Sequence, residues 1–252
     1  MRDSSDPLAG STPEPPTRAT GPAGPPVPVH PRWPGVLFDL DGTLVDTIGL
    51  ILASYDHALT SILGADVRYT PEEARGWIGR PLMPVFEERY PAHAVALEEA
   101  YRTWNLANTA RLIRRYPGIE DTVRALLDAQ VRVGVVTSKR AQPAALALQH
   151  AGLDGLVDLV ATMESTDRHK PDPAPLLHGA TRLSLPPERC VYVGDAVVDL
   201  VAARAAGMAS IAVTWGAGER SALLAAEPDH VVDTAAELAT ILLPADYGGD
   251  PI

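Results

Sequence analysis

The stretch Val36-Leu37-Phe38-Asp39-Leu40-Asp41-Gly42-Thr43-Leu44-Val45 decides how the rest of the chain is read. Val36 to Leu40 has the length and apolarity of a buried strand, and Asp41-Gly42 carries the turn signal that ends it. Two carboxylates, Asp39 and Asp41, therefore leave a central strand together. Like charges in a partly buried place repel each other unless a cation, hydrogen bonds or a proton offsets them. A divalent ion is the simplest partner.

Working outward, Asp46-Thr47 offers N-cap chemistry for a helix whose apolar stripe runs from Leu50 to Leu63 and stops near Gly64. The pattern stays helical to about Tyr116, with a short helix starting at Thr70-Pro71-Glu72-Glu73 and a longer one over Ala94 to Ile113, and no strand is expected between them. After Pro117-Gly118 helix and strand alternate: helices over 119–130, 141–151, 173–183 and 197–206, strands over 131–137, 157–161, 189–194 and 209–214. Strands as continuously apolar as Val131 to Val136 are those of a parallel sheet covered on both faces. The fold class is α/β, a doubly wound, mainly parallel sheet with a small helical cap inserted after the first strand. The expected division is a proline-rich tail over 1–34, an α/β core over 35–47 and 117–243, the cap over 48–116, and a C-terminal tail over 244–252.

Residues 1–34 hold ten of the 24 prolines with little apolar clustering, the composition of a disordered, partly polyproline II segment. Its P-x-x-P spacings, Pro22 to Pro25 and Pro28 to Pro31, are of the kind that docks on a proline-binding partner, although such a composition also produces them by itself. A net charge of -11 argues against nucleic-acid or anionic-membrane partners. There is no signal-like apolar segment after Arg2 and no apolar run long enough to span a bilayer. Cys190 stands alone in an apolar run and reads as core, which removes disulfides and cysteine zinc sites and fits a reducing cytoplasm. The histidines lack metal-ligand spacing. Against nineteen arginines there are two lysines, Lys139 and Lys170.

In open parallel sheets ligands bind beyond the carboxyl ends of the strands, near a switch point. Asp39 and Asp41, then Thr137-Ser138-Lys139, then Gly194-Asp195 all leave strands at that edge, and Lys170-Pro171 lies between the third strand, 157–161, and its following helix. With these residues in place the chain resembles the haloacid dehalogenase superfamily phosphatases, of the phosphoglycolate phosphatase-like group, over about residues 36–243. The resemblance is carried by Asp39 to Val45, the Thr137 strand end, Lys170-Pro171 and Gly194-Asp195-Ala196-Val197-Val198-Asp199. It implies Asp39 as a nucleophile that forms an aspartyl-phosphate. Asp41 would be the general acid and base. It further implies Mg²⁺ held by Asp39, the Asp41 backbone carbonyl and Asp195, with Asp199 outside them holding a metal-bound water or orienting Lys170. Thr137 and Lys170 would bind the phosphoryl oxygens, with Ser138 and Lys139 beside them.

The relatives implied by this resemblance differ in their needs. Dehalogenases have no carboxylate where Asp41 stands, and phosphonoacetaldehyde hydrolases need a cap lysine, whereas residues 48–116 contain none. The implied activity is hydrolysis of a small phosphorylated metabolite. A phosphosugar mutase and a pyrophosphatase on the same core stay open, as does a receiver-like or degenerate phosphate-binding module. In the cap, Trp77-Ile78-Gly79-Arg80-Pro81-Leu82 resembles a loop lowered toward substrate, and Arg80 is the residue there suited to an anionic leaving group.

Overall fold

The computed structural model describes residues 31–65, 67 and 69–243, so the P-x-x-P spacings up to Pro28 and the segment 244–252 lie outside the described residues. Strand β1 (Gly35–Phe38) sits at the middle of a six-stranded sheet of order β5-β4-β1-β6-β7-β8. Its neighbours are β4 (Arg132–Val136) and β6 (Cys190–Gly194), and beyond them lie β5 (Asp158–Ala161), β7 (Ala209–Val213) and β8 (His230–Val232). Every pairing in this sheet is parallel.

Side chains alternate across the sheet because successive strand residues point to opposite faces. Val36 and Phe38 join Val133, Val135, Val191 and Val193 in one core, which α5 (Ile119–Asp128), α6 (Ala141–Ala151) and α10 (Ala235–Leu242) cover. Leu37 joins Val136, Cys190 and Tyr192 in the other, under α7 (Ala174–Arg182) and α8 (Val197–Ala206). That two-sided cover is why the strands read as unbroken apolar runs. Cys190 lies wholly within the second core, where burial pushes its thiol pKa up to about 11.

Helices α1 (Ile48–Leu63), α2 (Pro71–Arg75), α3 (Leu82–Arg89) and α4 (Ala94–Leu112) pack around a separate core of Tyr55, Leu59, Trp77, Phe86 and Leu97. Thr70 and Glu73 form the reciprocal capping box that the sequence announces for α2. A buried polar link, Asn105 Nδ2 donating to Ser54 Oγ at 3.0 Å, ties α4 to α1.

Several local expectations need correction. The first strand ends at Phe38 rather than Leu40, because the Leu40 carbonyl is spent on the turn, accepting from the Leu44 and Val45 amides. A strand does occur before Tyr116: β2 (Val45–Asp46) pairs antiparallel with β3 (Arg114–Arg115), so two short connections at one place join the helices α1 to α4 to the sheet. Two exposed arginines carry no apolar signal for such a strand. The 1–34 tail is overdrawn at its end, since Trp33 is buried in the core and the Pro34 carbonyl accepts from the Arg132 amide at 2.9 Å. Burying a large side chain of this kind contributes roughly 1.5–3 kcal/mol. Beyond strand β7 the chain adds α9 (Arg220–Ala225), β8 and α10, which the sequence pattern did not resolve. Among the described residues no helix is long and apolar enough to cross a membrane.

Candidate active site

The turn after β1 presents Asp39 and Asp41 at the carboxyl edge, at the point where the chain order runs to β4 on one side and to β6 on the other. The Asp39 amide donates to Val193 O at 2.8 Å, which fixes its backbone against β6. Asp39 is only 3% exposed. Lys170, equally buried, reaches it from the segment before α7, with Nζ 2.8 Å from Asp39 Oδ1. The same ammonium donates to Asp199 Oδ1 at 2.6 Å and to the Tyr192 hydroxyl at 3.1 Å, so its three protons all have acceptors. Tyr192 in turn donates to the Val136 carbonyl at 2.9 Å.

Asp199 thus orients Lys170, one of the two roles implied for it, and at the same time caps the start of its own helix. Its Oδ2 accepts from the Ala196 amide at 3.0 Å at the start of α8, while its Oδ1 holds Lys170. Gly194 is required beside it, because a Cβ there would lie 2.5 Å from Asp199 Cβ. Asp195 leaves β6 one residue later and is enclosed from both sides, with Oδ1 accepting from Thr43 Oγ1 at 3.1 Å and Oδ2 from the Ala217 amide at 2.7 Å.

Three buried carboxylates, those of Asp39, Asp195 and Asp199, place oxygens within 4.8 Å of one another. Burial pushes the Asp39 pKa up to about 7 against the opposing pull of Lys170, and burial, then the charges of Asp199 and Asp39, hold Asp195 well above the usual carboxylate range. For Lys170 burial pulls the other way, but Asp199 and Asp39 together outweigh it and keep the ammonium charged. One ammonium answers one of three negative charges. The surplus is that of a divalent cation, and the oxygen-only donor set is the kind Mg²⁺ takes. Asp39 Oδ1 takes one bond from Lys170 and keeps a second lone pair, and the Asp41 carbonyl accepts no hydrogen bond from the backbone, so both remain open for such an ion, while Asp39 Oδ2 accepts no hydrogen bond among the described residues. Asp199 already faces the Lys170 ammonium, whereas Asp195 accepts only from a hydroxyl and an amide, so Asp39, the Asp41 carbonyl and Asp195 are the residues that fit it.

Asp41 is held differently. Lys139 Nζ lies 2.9 Å from both of its carboxylate oxygens, and Thr47 Oγ1 donates to Oδ1 at 2.6 Å. The N-cap chemistry expected of Thr47 is therefore absent: its hydroxyl makes no capping bond to α1 and is turned to Asp41. Thr137 is buried at the end of β4, its Oγ1 accepting from the Lys139 amide at 3.1 Å. Ser138 Oγ donates to the Gly79 carbonyl at 2.9 Å, which ties the β4 loop to the cap. Arg80 is paired with Glu88 at 2.6 Å.

A cavity of about 330 Å³ opens over Asp39 and Asp41, lined by Thr137, Ser138, Lys139 and Arg80 and closed on the cap side by Tyr55, Trp77 and Tyr101. Lys170, Asp195 and Asp199 lie behind Asp39 rather than among the lining residues. Thr47, Tyr192 and the cap tyrosines Tyr55 and Tyr101 are site residues that carry no such signal in the sequence. A threonine before a helix and a tyrosine in an apolar strand each have a more ordinary reading, and only the fold shows what their hydroxyls touch.

The fold and the site define a hydrolase of the doubly wound α/β class whose acidic centre is built to handle a phosphoryl group. The chain belongs to the haloacid dehalogenase-like hydrolases, whose family model matches residues 36–213, and it is a phosphatase of that family, as its motifs implied. It is 33% identical over 207 residues to the pyrophosphatase PpaX of Anoxybacillus flavithermus, covering 82% of this chain and 95% of the relative. Among solved structures it is similar to a predicted phosphatase from Clostridium acetobutylicum (25% identity, TM-score 0.73, covering 82% of this chain and 97% of the other). A predicted phosphoglycolate phosphatase from Haemophilus somnus shares the fold (24% identity, TM-score 0.72, covering 83% and 98%). Membership of a hydrolase family sets aside the receiver-like alternative.

Proposed function

We propose that the protein hydrolyses a small-molecule phosphate monoester with Mg²⁺ through an aspartyl-phosphate on Asp39. The observation that carries this reading is the unequal treatment of two neighbouring carboxylates. Lys170 anchors Asp39 by Oδ1, while Oδ2 has no partner among the described residues and Asp39 lines the cavity. An anchored carboxylate with one free oxygen is placed to attack phosphorus. The new bond joins that oxygen to phosphorus as the ester oxygen departs with the bonding pair. Asp41 supplies the proton to the departing oxygen, then takes one from the water that hydrolyses the intermediate. When bound, Mg²⁺ offsets the phosphoryl charge and leaves the Asp39 carboxylate ionised.

Lys139 links these roles. In the free protein it neutralises Asp41, and a phosphoryl group entering beside Thr137 and Ser138 offers it a stronger partner. Transfer of Lys139 to that group frees Asp41 to carry a proton. Thr137 adds a hydroxyl donor at the cavity, while Lys170, its three protons already taken, holds Asp39 in place from behind. Pyrophosphate is a second substrate reading, favoured by the name of the 33% identical relative, and uses the same steps with phosphate as leaving group. The lone buried cysteine agrees with a cytoplasmic location.

The test is phosphate release from a panel of small phosphate esters and pyrophosphate with Mg²⁺. Asp41→Asn should retain the fold and lower kcat by about 10²–10⁴-fold. A fully active Asp41→Asn enzyme would remove the proton-transfer role.

A further inference from the structure

Strand β7 is followed by Thr214-Trp215-Gly216-Ala217-Gly218, at the same carboxyl edge of the sheet that presents the site, and no step of the phosphoryl chemistry uses this loop. Because β7 pairs with β6, the strand from which Asp195 emerges, the loop meets Asp195 from the side. The Ala217 amide donates to Asp195 Oδ2 at 2.7 Å, and the Gly218 amide donates to the Asp195 backbone carbonyl at 3.1 Å. A third link is indirect. The Trp215 indole N–H donates to the Thr43 carbonyl at 3.1 Å, and the Thr43 hydroxyl donates to Asp195 Oδ1, also at 3.1 Å.

The approach is closer than a side chain permits. A Cβ at Gly216 would collide with the Asp195 carboxylate, and one at Gly218 with the Asp195 carbonyl. Thr43 and Asp195 are both buried, where a hydrogen bond is electrostatically stronger than in water. Trp215 itself is half-buried, its ring tilted against that of Tyr116 with centroids 6.1 Å apart. Packing accounts for the ring; it does not account for an N–H spent on the turn that carries Asp41, Gly42 and Thr43.

We propose, resting on Asp195 as a ligand of Mg²⁺, that Trp215 is a positioning residue for the metal site. Asp39, Asp195 and Asp199 bring carboxylate oxygens within 4.8 Å of one another, so repulsion drives Asp195 outward whenever no cation is bound. The indole holds Thr43, Thr43 holds Oδ1, and the two loop amides hold Oδ2 and the backbone. Asp195 is thereby set in place before the ion arrives, and binding then costs little reordering.

The experiment is calorimetric titration of Mg²⁺ into the substrate-free wild-type protein, Trp215→Phe, Thr43→Val, Thr43→Ser and the double variant Trp215→Phe/Thr43→Val, with melting temperatures recorded in chelator. Phenylalanine keeps a ring for Tyr116 and removes only the N–H. Trp215→Phe should raise the Kd for Mg²⁺ about fivefold and Thr43→Val about tenfold, each the loss of one hydrogen bond, while Thr43→Ser stays close to wild type. The double variant should bind no more weakly than Thr43→Val alone, because the indole acts on the carboxylate through Thr43. A Trp215→Phe protein that melts lower in chelator but keeps its Kd makes the tryptophan a packing residue and overturns the proposal. An additive double variant, weaker by about fiftyfold, overturns the route through Thr43. Either result leaves Mg²⁺ binding by the wild type standing, whereas wild-type protein that takes up no Mg²⁺ overturns the metal reading together with the proposal.

Discussion

Thr47 shows how a single side chain can be diverted from structure to chemistry. A threonine at a helix start ordinarily caps it, a contribution of about 1 kcal/mol. Here α1 forgoes that bond, and the hydroxyl instead fixes an oxygen of Asp41 that Lys139 also contacts. Thr47→Val should therefore leave the melting temperature almost unchanged and lower kcat on the order of tenfold with little change in KM, and Thr47→Ser should restore it. Equal kcat in the valine variant would make Thr47 a bystander. Asp39 gives a second prediction. Its folded pKa is raised from 3.8 to about 7, so without metal its contribution to stability is fully present below about pH 4 and is lost as pH rises through 7. A divalent ion binds the ionised form, so denaturant midpoints should fall from pH 4 to 7 in chelator and flatten in Mg²⁺. Identical profiles would argue that no metal sits on Asp39.

At the scale of elements, the turn after β1 is the piece on which the site depends. Gly42 adopts φ +82, and a Cβ there would collide with the Asp195 carboxylate. The turn thereby sets the distance between the first strand's acids and the acid that leaves β6. Gly42→Ala should cost about 1–2 kcal/mol from the backbone alone and weaken Mg²⁺ binding about tenfold or more by displacing Asp195, read by thermal melting and metal titration. Unchanged metal affinity would show the turn to be replaceable. The elements legible in the sequence were those whose burial writes a pattern: the two-face-covered strands, the capped α2 and the interrupted helical region. What could not be read were elements held by backbone alone, such as Arg114–Arg115, and side chains whose partners are distant in sequence. Tyr192 lies 22 residues from Lys170 and looked like core, which it also is. The acids and lysines of the site were legible because sheet topology brings strand ends together whatever the loops do. Lys139 was found by the same logic, but its bond to Asp41 depends on loop geometry and was not foreseen.

For the whole molecule, the sheet edge supplies the charged groups and the helices α1 to α4 supply the opposite wall of the same cavity. Ser138 bonding to Gly79, and the antiparallel pair β2 and β3, connect the two parts. If Asp39 carries the phosphoryl group between substrate and water, Asp41→Asn is suited to slow its departure. The most direct measurement is acid quenching of that variant with Mg²⁺ and a radiolabelled phosphate ester that the wild-type enzyme turns over, followed by peptide mapping. Label should appear on the peptide containing Asp39, removable by hydroxylamine and absent from Asp39→Asn. Wild-type turnover with no label at Asp39, or undiminished turnover in Asp39→Asn, would contradict it.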